Sequence, residues 1–420
     1  MALIDTDDTA AVLDELRRRQ DEDDPEHFHK YELDAGGRLK RLYWADADAR
    51  LSSIDHSDDV VVVDTTFRTN KYGVPFVPFV GLNRHRRPVV LGCGVVTDQS
   101  SDSLVWLLRA YMLSTGQESP KSVITDGSDA VVHAVKAVLP QSNHRICSWQ
   151  VEQGIKEHLG GCSAQDEFRS LMCDDACSPV EFEERWHRFL ARHRTAKSEE
   201  WLCRMYVKRE LWAAAFVRDK FFLGMASDQR TECLATGLHT GLGEGMSLLA
   251  LFRHADYWDK HMRELEYELD GKADKSREEL TTRHRCLEED AARSFTPANF
   301  AILRKEIEAL DDFDIIDTLS SSSGGLGDKV YTMSYRGEHF TVLRCHDRAG
   351  GDDDDMQKEA SVAFKCSCRK MEREGLPCRH ILCVLRHQGA SSIPACCKLR
   401  RLHRRGDIRY ERLGAGVFET

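Results

Sequence analysis

The sequence predicts an α+β fold, in which a mixed sheet with a long helical insertion is followed by a small zinc-stabilised module. Three observations carry this prediction. Apolar segments separated by turn residues alternate with helical periodicity over the first 150 residues. A stretch rich in Trp, Phe, Leu and charged residues then runs from about residue 165 to 225. Further along, two close pairs of Cys and His residues have nine residues between them.

The composition is that of a folded protein with two to three domains. The chain has 420 residues, of which 41% are hydrophobic and 31% charged. The first residues show no export signal, and the longest apolar stretches are about half the length of a membrane span. We therefore expect an intracellular protein with no membrane partner. In that setting the fifteen cysteines predict reduced thiols and metal ligands.

Charge is distributed unevenly along the chain. The net charge of −11 argues against indiscriminate coating of nucleic acid. Residues 1–39 form an acidic lead-in with a short predicted helix at 10–19, and residues 388–420 form a basic tail. The tail predicts an import signal, a phosphate-contacting arm or a solvated surface helix, and its basic residues include Lys398, Arg400, Arg401, Arg404 and Arg405. A second group, in a predicted hairpin turn, could approach DNA, namely Arg84, Arg86 and Arg87.

The elements of the sheet follow in order from residue 40. Three β-rich segments at 60–63, 74–82 and 88–96 predict an antiparallel meander. A helix at 101–115, with Ser101 as its N-cap, precedes a strand at 122–125, a helix at 128–139 and a strand at 145–148. Three strands, helix, strand, helix, strand is the order of a ribonuclease-H-like fold. We therefore predict such a domain over residues 40–313, with the helical insertion at about 165–225.

Acidic residues stand at the ends of two predicted strands. Asp64 follows the first meander strand and Asp126 follows the strand at 122–125. In a ribonuclease-H-like sheet these strands are neighbours, so a third carboxylate would complete a site for two Mg²⁺ ions that cut phosphodiesters. Glu232, after the helical insertion, is the candidate for that third acid. The alternative is that each Asp merely forms a turn, as Asp-Gly pairs often do.

The Cys and His pairs predict a structural zinc site. Cys366, Cys368, Cys378 and His380 form a C-x-C-x9-C-x-H motif, and three thiolates with one imidazole fill a tetrahedral zinc ion. The first pair ends a predicted strand and the second begins a predicted helix. The pattern therefore predicts a ββα module at residues 329–387. A Ser/Gly-rich segment, residues 314–328, is the predicted linker before it.

These stretches resemble a known family. Residues 34–313 resemble the transposase domain of Mutator-like elements (MULE), and most closely the plant far-red impaired response and far-red elongated hypocotyl related family, which derives from such transposases. The likeness is carried by VVVVDTTFRTNKYGVPFVPFVGLNRH, VVLGCGVVTDQS, PKSVITDGSDAV, HRICSWQ and FVRDKFFLGMASDQRTEC. The Cys and His motif is similar to the SWIM zinc finger of that family. Together these segments cover about five-sixths of the chain.

The resemblance implies an Asp-Asp-Glu catalytic set, matched here by Asp64, Asp126 and Glu232. It implies a nuclear transcription regulator domesticated from a transposase, DNA-associated and zinc-binding, with a role in light-responsive gene control. Two other functions remain open: a Mg²⁺-dependent transposase that cuts and joins DNA, and a protein-interaction module without DNA binding. Family members act as dimers, so a homodimer or heterodimer with relatives is expected.

Two departures from the family bear on this choice. Active Mutator-like enzymes carry a C-x-x-H motif after the second Asp, whereas this chain reads Cys147, Ser148, Trp149, Gln150. A Gln side chain cannot replace an imidazole as a metal ligand or proton carrier. Family members also carry a zinc-binding DNA-recognition domain ahead of the transposase domain. We therefore expect contact with DNA either directly or through DNA-bound relatives.

Overall fold

The computed structural model describes residues 3–56, 60–116, 119–225, 238, 240–275, 277–320, 328–347 and 361–404. The chain divides into two compact units. The first comprises Met1–Asn83, Arg87–Glu264 and Glu372–Glu374, and the second comprises Arg84–Arg86, Leu265–Met371 and Gly375–Thr420. The described residues contain no helix that is both long enough and apolar enough to cross a membrane.

A seven-stranded mixed sheet forms the centre of the first unit. Its strands are β1 Phe28–Leu33, β2 Leu39–Ala45, β3 Val60–Val63, β4 Phe76–Leu82, β5 Pro88–Val96, β6 Ser122–Thr125 and β7 Asn143–Ile146. They lie in the order β1-β2-β5-β4-β3-β6-β7. The pairs β3–β6 and β6–β7 are parallel and the others are antiparallel. The predicted meander and the predicted strand at 122–125 are thus confirmed, and the last predicted strand begins two residues earlier.

The acidic lead-in differs from the prediction. Its helix, α1, spans Thr6–Arg18, begins four residues before the predicted start and is capped by the Asp5 side chain. Beyond it, β1 and β2 pair with each other, and β2 pairs with β5, so that both extend the sheet. Neither β1 nor β2 was predicted, because pairing between distant strands stabilises a segment whose own charge-rich sequence gives little strand signal. Helix α2, Ala47–His56, follows β2.

Two helices cover one face of this sheet. Helix α3, Ser101–Ser114, and helix α4, Asp129–Val138, pack against each other and bury a core with Tyr43, Phe79 and Tyr111. The cap of α3 is Ser100, whose side chain accepts a hydrogen bond from the Ser103 N–H, and not the predicted Ser101. Helix formation here follows the predicted spacing of apolar residues, so both helices match the prediction closely.

The helical insertion has its own aromatic core. Its helices are α5 Ser148–His158, α6 Cys162–Cys173, α7 Pro179–His193, α8 Glu199–Val207 and the single turn α9 Ala214–Val217. Phe168 stacks on Trp212 with ring centroids 4.9 Å apart and contacts Trp186 edge-on. Such clustering of large rings buries much apolar area in few residues, which lets a short helical segment form a stable core.

The second unit combines helices with a four-stranded antiparallel sheet. Helix α10, Leu248–Lys275, spans the boundary of the two units, and α11 Arg285–Ser294 and α12 Pro297–Glu308 follow. The strands are β8 Asp314–Ser320, β9 Lys329–Tyr335, β10 Glu338–Asp347 and β11 Ser361–Cys366, in the order β11-β10-β9-β8. Helix α14, Arg379–His387, completes the unit, and the short helix α13, Lys370–Glu374, has residues in both units.

The predicted linker at 314–328 is partly a strand. Residues 314–320 form β8, which pairs antiparallel with β9. The sheet around the predicted zinc site therefore has four strands and not the two of a ββα module. Ser and Gly at 320–325 favoured a linker, but the β-branched residues Ile315, Ile316 and Thr318 precede them and gain backbone partners from β9.

Candidate metal centre and acidic strand ends

Four predicted zinc ligands converge in the second unit. Cys366 ends strand β11, and Cys368 follows it in the turn before α13. Cys378 is the N-cap residue of α14 and His380 lies in the first turn of that helix. One ligand atom from each residue lies within 4.8 Å of the other three. A strand end and a helix start thus bring together two pairs that are ten residues apart in sequence.

The geometry fits a closed zinc site. Nδ1 of His380 lies 3.4 Å from Sγ of Cys366. A tetrahedral zinc ion bound to one sulfur and one nitrogen would separate them by about 3.5 Å. Burial raises the pKa of the Cys378 thiol well above its usual value, so a thiolate there needs a cation beside it. With three sulfurs and one imidazole supplied by the chain, no position remains for a substrate, and the site is structural.

The His380 imidazole is held by aromatic rings. It stacks on Phe340 with ring centroids 4.0 Å apart and meets the edge of Phe313 at 5.0 Å. Its Nε2 atom is buried and has no hydrogen-bond partner among the described residues. The ring orientation at this ligand is therefore set by packing and not by a second hydrogen bond.

A buried carboxylate that no sequence pattern marks contacts a residue beside each of the two ligand pairs. Glu306 on α12 is 4% exposed and accepts hydrogen bonds from the backbone N–H of Arg379 at 2.9 Å and from its guanidinium at 3.0 Å. It also accepts from Nζ of Lys370 at 3.1 Å. Burial alone raises the pKa of Glu306, but the bonds and charges of Arg379 and Lys370 outweigh it, so the pKa is lowered.

The two acidic strand ends are neighbours in the first unit. Strands β3 and β6 are parallel, and Val63 pairs with Thr125 in their register. Asp64 and Asp126 each come one residue later, so they leave the sheet at the same edge. Gly127 has a φ of 79°, and a Cβ there would lie 2.8 Å from the Ile146 side chain. This turn therefore requires glycine directly after the acid.

Local hydrogen bonds occupy oxygens of both carboxylates. Oδ1 of Asp64 accepts from the N–H and hydroxyl of Thr66, at 2.8 and 2.6 Å. Oδ2 of Asp126 accepts from the N–H and hydroxyl of Thr65, at 3.0 and 2.5 Å, and its Oδ1 accepts from the Ser128 N–H at 2.8 Å. Thr65 thus links the two strand ends. The same bonds are those of turn-forming aspartates, so this geometry accommodates both interpretations of the pair.

The proposed third acid, Glu232, lies outside the described residues. Within the part of the chain that is described, no third acid, Cys or His joins Asp64 and Asp126 in a metal-sized cluster. Gln150, which replaces the family's histidine, is half-buried in the first turn of α5.

A buried histidine lies one strand away from the acidic pair. His144 on β7 shares a 2.9 Å hydrogen bond between its Nε2 and the Thr125 hydroxyl. Burial, and to a smaller degree the nearby Lys220, lowers the pKa of His144 to about 4. The ring is therefore neutral near neutral pH. Sequence alone offered no signal for it, because an isolated His before an apolar segment resembles any core residue.

The basic residues of the predicted hairpin turn have structural contacts. Arg84 is 5% exposed, and its carbonyl accepts from the Asn299 amide at 2.9 Å. Nε of Arg86 donates to Oδ1 of Asn299 at 2.6 Å, so only Arg87 of the three is exposed. The interpretation that this group approaches DNA is therefore contradicted for Arg84 by its burial.

The described part of the basic tail is likewise engaged. Lys398 pairs with the buried Asp290 at 2.8 Å, and Arg401 is 7% exposed. Arg404 donates through Nε to the Phe295 carbonyl at 3.1 Å. Arg405 and the residues after it lie outside the described residues, and so does the side chain of Arg400.

Comparison with known proteins adds two domain matches. Residues 60–153 match the family model of the MULE transposase domain, which spans β3 to the first half of α5. Residues 362–389 match the SWIM zinc finger, which contains all four Cys and His ligands. Each match therefore includes one of the two sites described above.

Curated plant proteins are similar over nearly the whole chain. Protein FAR1-RELATED SEQUENCE 7 of Arabidopsis thaliana is 28% identical over 96% of this chain and 50% of its own length. Protein FAR1-RELATED SEQUENCE 4 is 28% identical over 95% of this chain and 52% of its own. Protein FAR-RED IMPAIRED RESPONSE 1, also of Arabidopsis thaliana, is 27% identical over 93% and 46%. The chain thus spans about half the length of these relatives. It carries a MULE transposase domain and a SWIM zinc finger, and over most of its length it is a homologue of the FAR1-related sequence proteins.

Proposed function

We propose that this chain is a nuclear transcription regulator domesticated from a Mutator-like transposase, DNA-associated and stabilised by zinc. The observation that carries the proposal is the presence in one chain of the MULE and SWIM domains, with FAR1-related homology around both. The names of the relatives refer to a far-red response, which supports a role in light-responsive gene control. DNA, or relatives already bound to DNA, are the partners in this proposal, as homodimer or heterodimer.

A ribonuclease-H-like core is part of the proposal. The strand order β5-β4-β3-β6-β7, with an antiparallel meander followed by two parallel strands, supports it. In such a core the acidic edge would face the DNA. The Gln150 side chain and the turn bonds of both aspartates favour a core that keeps the ancestral shape while it serves regulation.

Chromatin occupancy in nuclei of the source organism tests the regulator. The tagged chain should occupy promoters that lack flanking inverted repeats, and Cys378→Ser should reduce this occupancy because it removes a zinc ligand. Cys286→Ser is the matched control, since Cys286 is an exposed cysteine on α11 outside the ligand set. If the chain is present in the nucleus but occupies no promoter and changes no promoter output, the proposed regulatory function is contradicted.

A Mg²⁺-dependent transposase is the second candidate, supported by the adjacency of Asp64 and Asp126 at one sheet edge. With Glu232 they would hold Mg²⁺, which would activate the attacking hydroxyl or water. On a reporter flanked by inverted repeats, excision should be lost with Asp64→Asn and kept with Asp102→Asn, an exposed acid in the first turn of α3. If the wild-type chain excises no such reporter with Mg²⁺ or Mn²⁺ present, the transposase function is contradicted. The proposed regulatory function would not be affected by that result.

A further inference from the structure

Two adjacent cysteines lie on a turn of the second unit, apart from the zinc ligands. Cys396 and Cys397 belong to the short 3-10 helix Ala395–Cys397, and their Sγ atoms are 3.9 Å apart. Cys396 is exposed, whereas Cys397 is 1% exposed. We propose that this pair is a thiol switch: a hydroperoxide oxidises it to a vicinal disulfide, and a dithiol reductant restores the two thiols. This inference is independent of the proposed function.

The different environments of the two sulfurs assign their roles. A redox-sensitive cysteine combines access to solvent, thiolate character and a resolving thiol within reach. Cys396 has the access, and hydrogen bonding with Cys397 lowers the pKa of Cys396 to about 7. Cys397 is shielded from the oxidant but lies beside Cys396. Cys396 is therefore the attacking thiol and Cys397 the resolving one.

The two steps balance as follows. The Cys396 thiolate attacks one oxygen of the hydroperoxide, the O–O bond breaks, and the products are a sulfenic acid and an alkoxide or hydroxide, which takes up a proton. The Cys397 sulfur then attacks the Cys396 sulfur, the S–O bond breaks, and water leaves with the Cys397 proton. The pair has lost two electrons to the peroxide. Two thiols of a reductant return them by thiol–disulfide exchange.

The disulfide formed in this way is expected to be easily reduced. Adjacent Cα atoms are about 3.8 Å apart, whereas unstrained disulfides span roughly 4.4–6.8 Å between Cα atoms. Strained and exposed disulfides have more oxidising potentials and belong to the labile, regulatory class. A vicinal bridge at this turn therefore fits a reversible switch and not a structural crosslink.

Closure of the ring would disturb a well-anchored turn. The backbone bonds Cys397 N–H to Pro394 O and Lys398 N–H to Ala395 O, both 2.9 Å, define the turn. Asp290 on α11 holds its two flanks, accepting from the Ile393 N–H and from Nζ of Lys398, both at 2.8 Å. The turn also packs against β11, the strand that ends at a zinc ligand. Oxidation is thus expected to loosen the turn beside the metal centre.

Peptide mass spectrometry of the zinc-loaded full chain tests the proposal. Trypsin releases residues 387–398 as HQGASSIPACCK, which contains both cysteines and no other. The three cysteine ligands fall in CSCR and EGLPCR, and His380 falls in HILCVLR. The exposed Cys203 falls in SEEWLCR, which serves as a single-cysteine control. After limited hydrogen peroxide, HQGASSIPACCK should lose the mass of two hydrogen atoms before the other peptides change. Dithiothreitol should reverse the loss.

Variants separate the two roles. Cys396→Ser should abolish the change in this peptide, and Cys397→Ser should stop at a sulfenic acid that a 1,3-diketone probe captures. Hydrogen exchange of residues 393–398 should rise on oxidation of the wild-type chain only. The switch is refuted by a wild-type peptide that gains oxygen without bridging, that reacts no faster than SEEWLCR, or that dithiothreitol does not restore. The wild-type measurement decides this even where a variant folds poorly.

Discussion

Glu306 concentrates the electrostatics of the metal centre on one side chain. Its buried carboxylate forms ion pairs with Lys370 and Arg379. Lys370 follows the ligand Cys368 by two residues, and Arg379 lies between the ligands Cys378 and His380. Neutralising such a carboxylate weakens its interactions with two partially buried cations. The zinc motif is therefore stabilised by a residue of a distant helix, since Glu306 and Lys370 are 64 residues apart in the sequence.

We predict that Glu306→Gln lowers the free energy of unfolding of the zinc-loaded chain by about 2–4 kcal/mol, since the charge is lost while the shape remains. Urea denaturation followed by near-UV circular dichroism measures this change. Glu308→Gln is the control, because Glu308 is exposed on the same helix and lies 3.8 Å from Arg304. Loss of that exposed ion pair in Glu308→Gln should lower the free energy of unfolding by less than about 0.5 kcal/mol. Equal effects of the two variants would contradict the stabilising role of Glu306.

His144 makes the first unit sensitive to acid. Its pKa is about 4 in the folded chain and near 6.5 when unfolded, so the unfolded chain binds more protons between these values. The free energy of unfolding should therefore fall as the pH drops from about 6.5 to about 4, by on the order of 1–3 kcal/mol. His144→Gln should reduce this fall. Burial lowers the pKa of His27 to about 4 as well, so part of the fall should remain.

Urea midpoints at about pH 7 and about pH 5 measure the effect for the wild type and His144→Gln. Hydrogen exchange of β6 and β7 at the two pH values locates it. If His144→Gln lost as much stability on acidification as the wild type, His144 would titrate as an ordinary exposed histidine and its burial would be wrong.

Helix α12 organises the second unit through one polar residue. Asn299 is fully buried, and its amide donates to the carbonyls of Arg84 at 2.9 Å and Leu402 at 3.1 Å. Its Oδ1 accepts from Nε of Arg86. The helix thus joins residues 84–86 and the described end of the basic tail, which explains why neither group of arginines is wholly available to phosphate.

We predict that Asn299→Ala destabilises the chain by about 1–3 kcal/mol, because the carbonyls of Arg84 and Leu402 and the guanidinium of Arg86 each lose one hydrogen bond. Thr296 still donates to both carbonyls in the variant. Hydrogen exchange at residues 400–404 should increase, since the Leu402 carbonyl loses a donor. Asn143→Ala is the control, because the Asn143 side chain donates a 3.3 Å hydrogen bond to the Ser122 hydroxyl in the first unit, away from the tail in sequence. Unchanged exchange at 400–404 in Asn299→Ala would show that other contacts hold the tail.

Across the whole molecule, all four metal ligands come from the second unit. Since a structural zinc ion supplies much of the folding free energy of a small module, its removal should act there first. We predict that a chelator abolishes hydrogen-exchange protection in β11 and α14 while β3 and β6 keep theirs. Cys378→Ser should reproduce this pattern and bind about one zinc ion fewer per chain than Cys286→Ser. Simultaneous loss of protection in both units would contradict a local role for the metal.

The sequence alone determined the local features of this protein. The spacing of Cys366, Cys368, Cys378 and His380 defines the zinc motif, because metal ligands close together in a chain need only a strand end and a helix start to converge. The meander and helices α3 and α4 were predictable since apolar periodicity marks them directly. The positions of Asp64 and Asp126 at strand ends followed from the same pattern.

Only the tertiary structure decided which distant groups meet. The pairing of β1 and β2 with the sheet, and of β8 with β9, depends on partner strands that no local pattern reveals. The contacts of Glu306 with Arg379 and of Thr65 with Asp126 join residues 73 and 61 positions apart. Burial turned Arg84 from a candidate for DNA contact into a structural residue. Such outcomes depend on long-range packing, which selects one partner among many that the sequence permits.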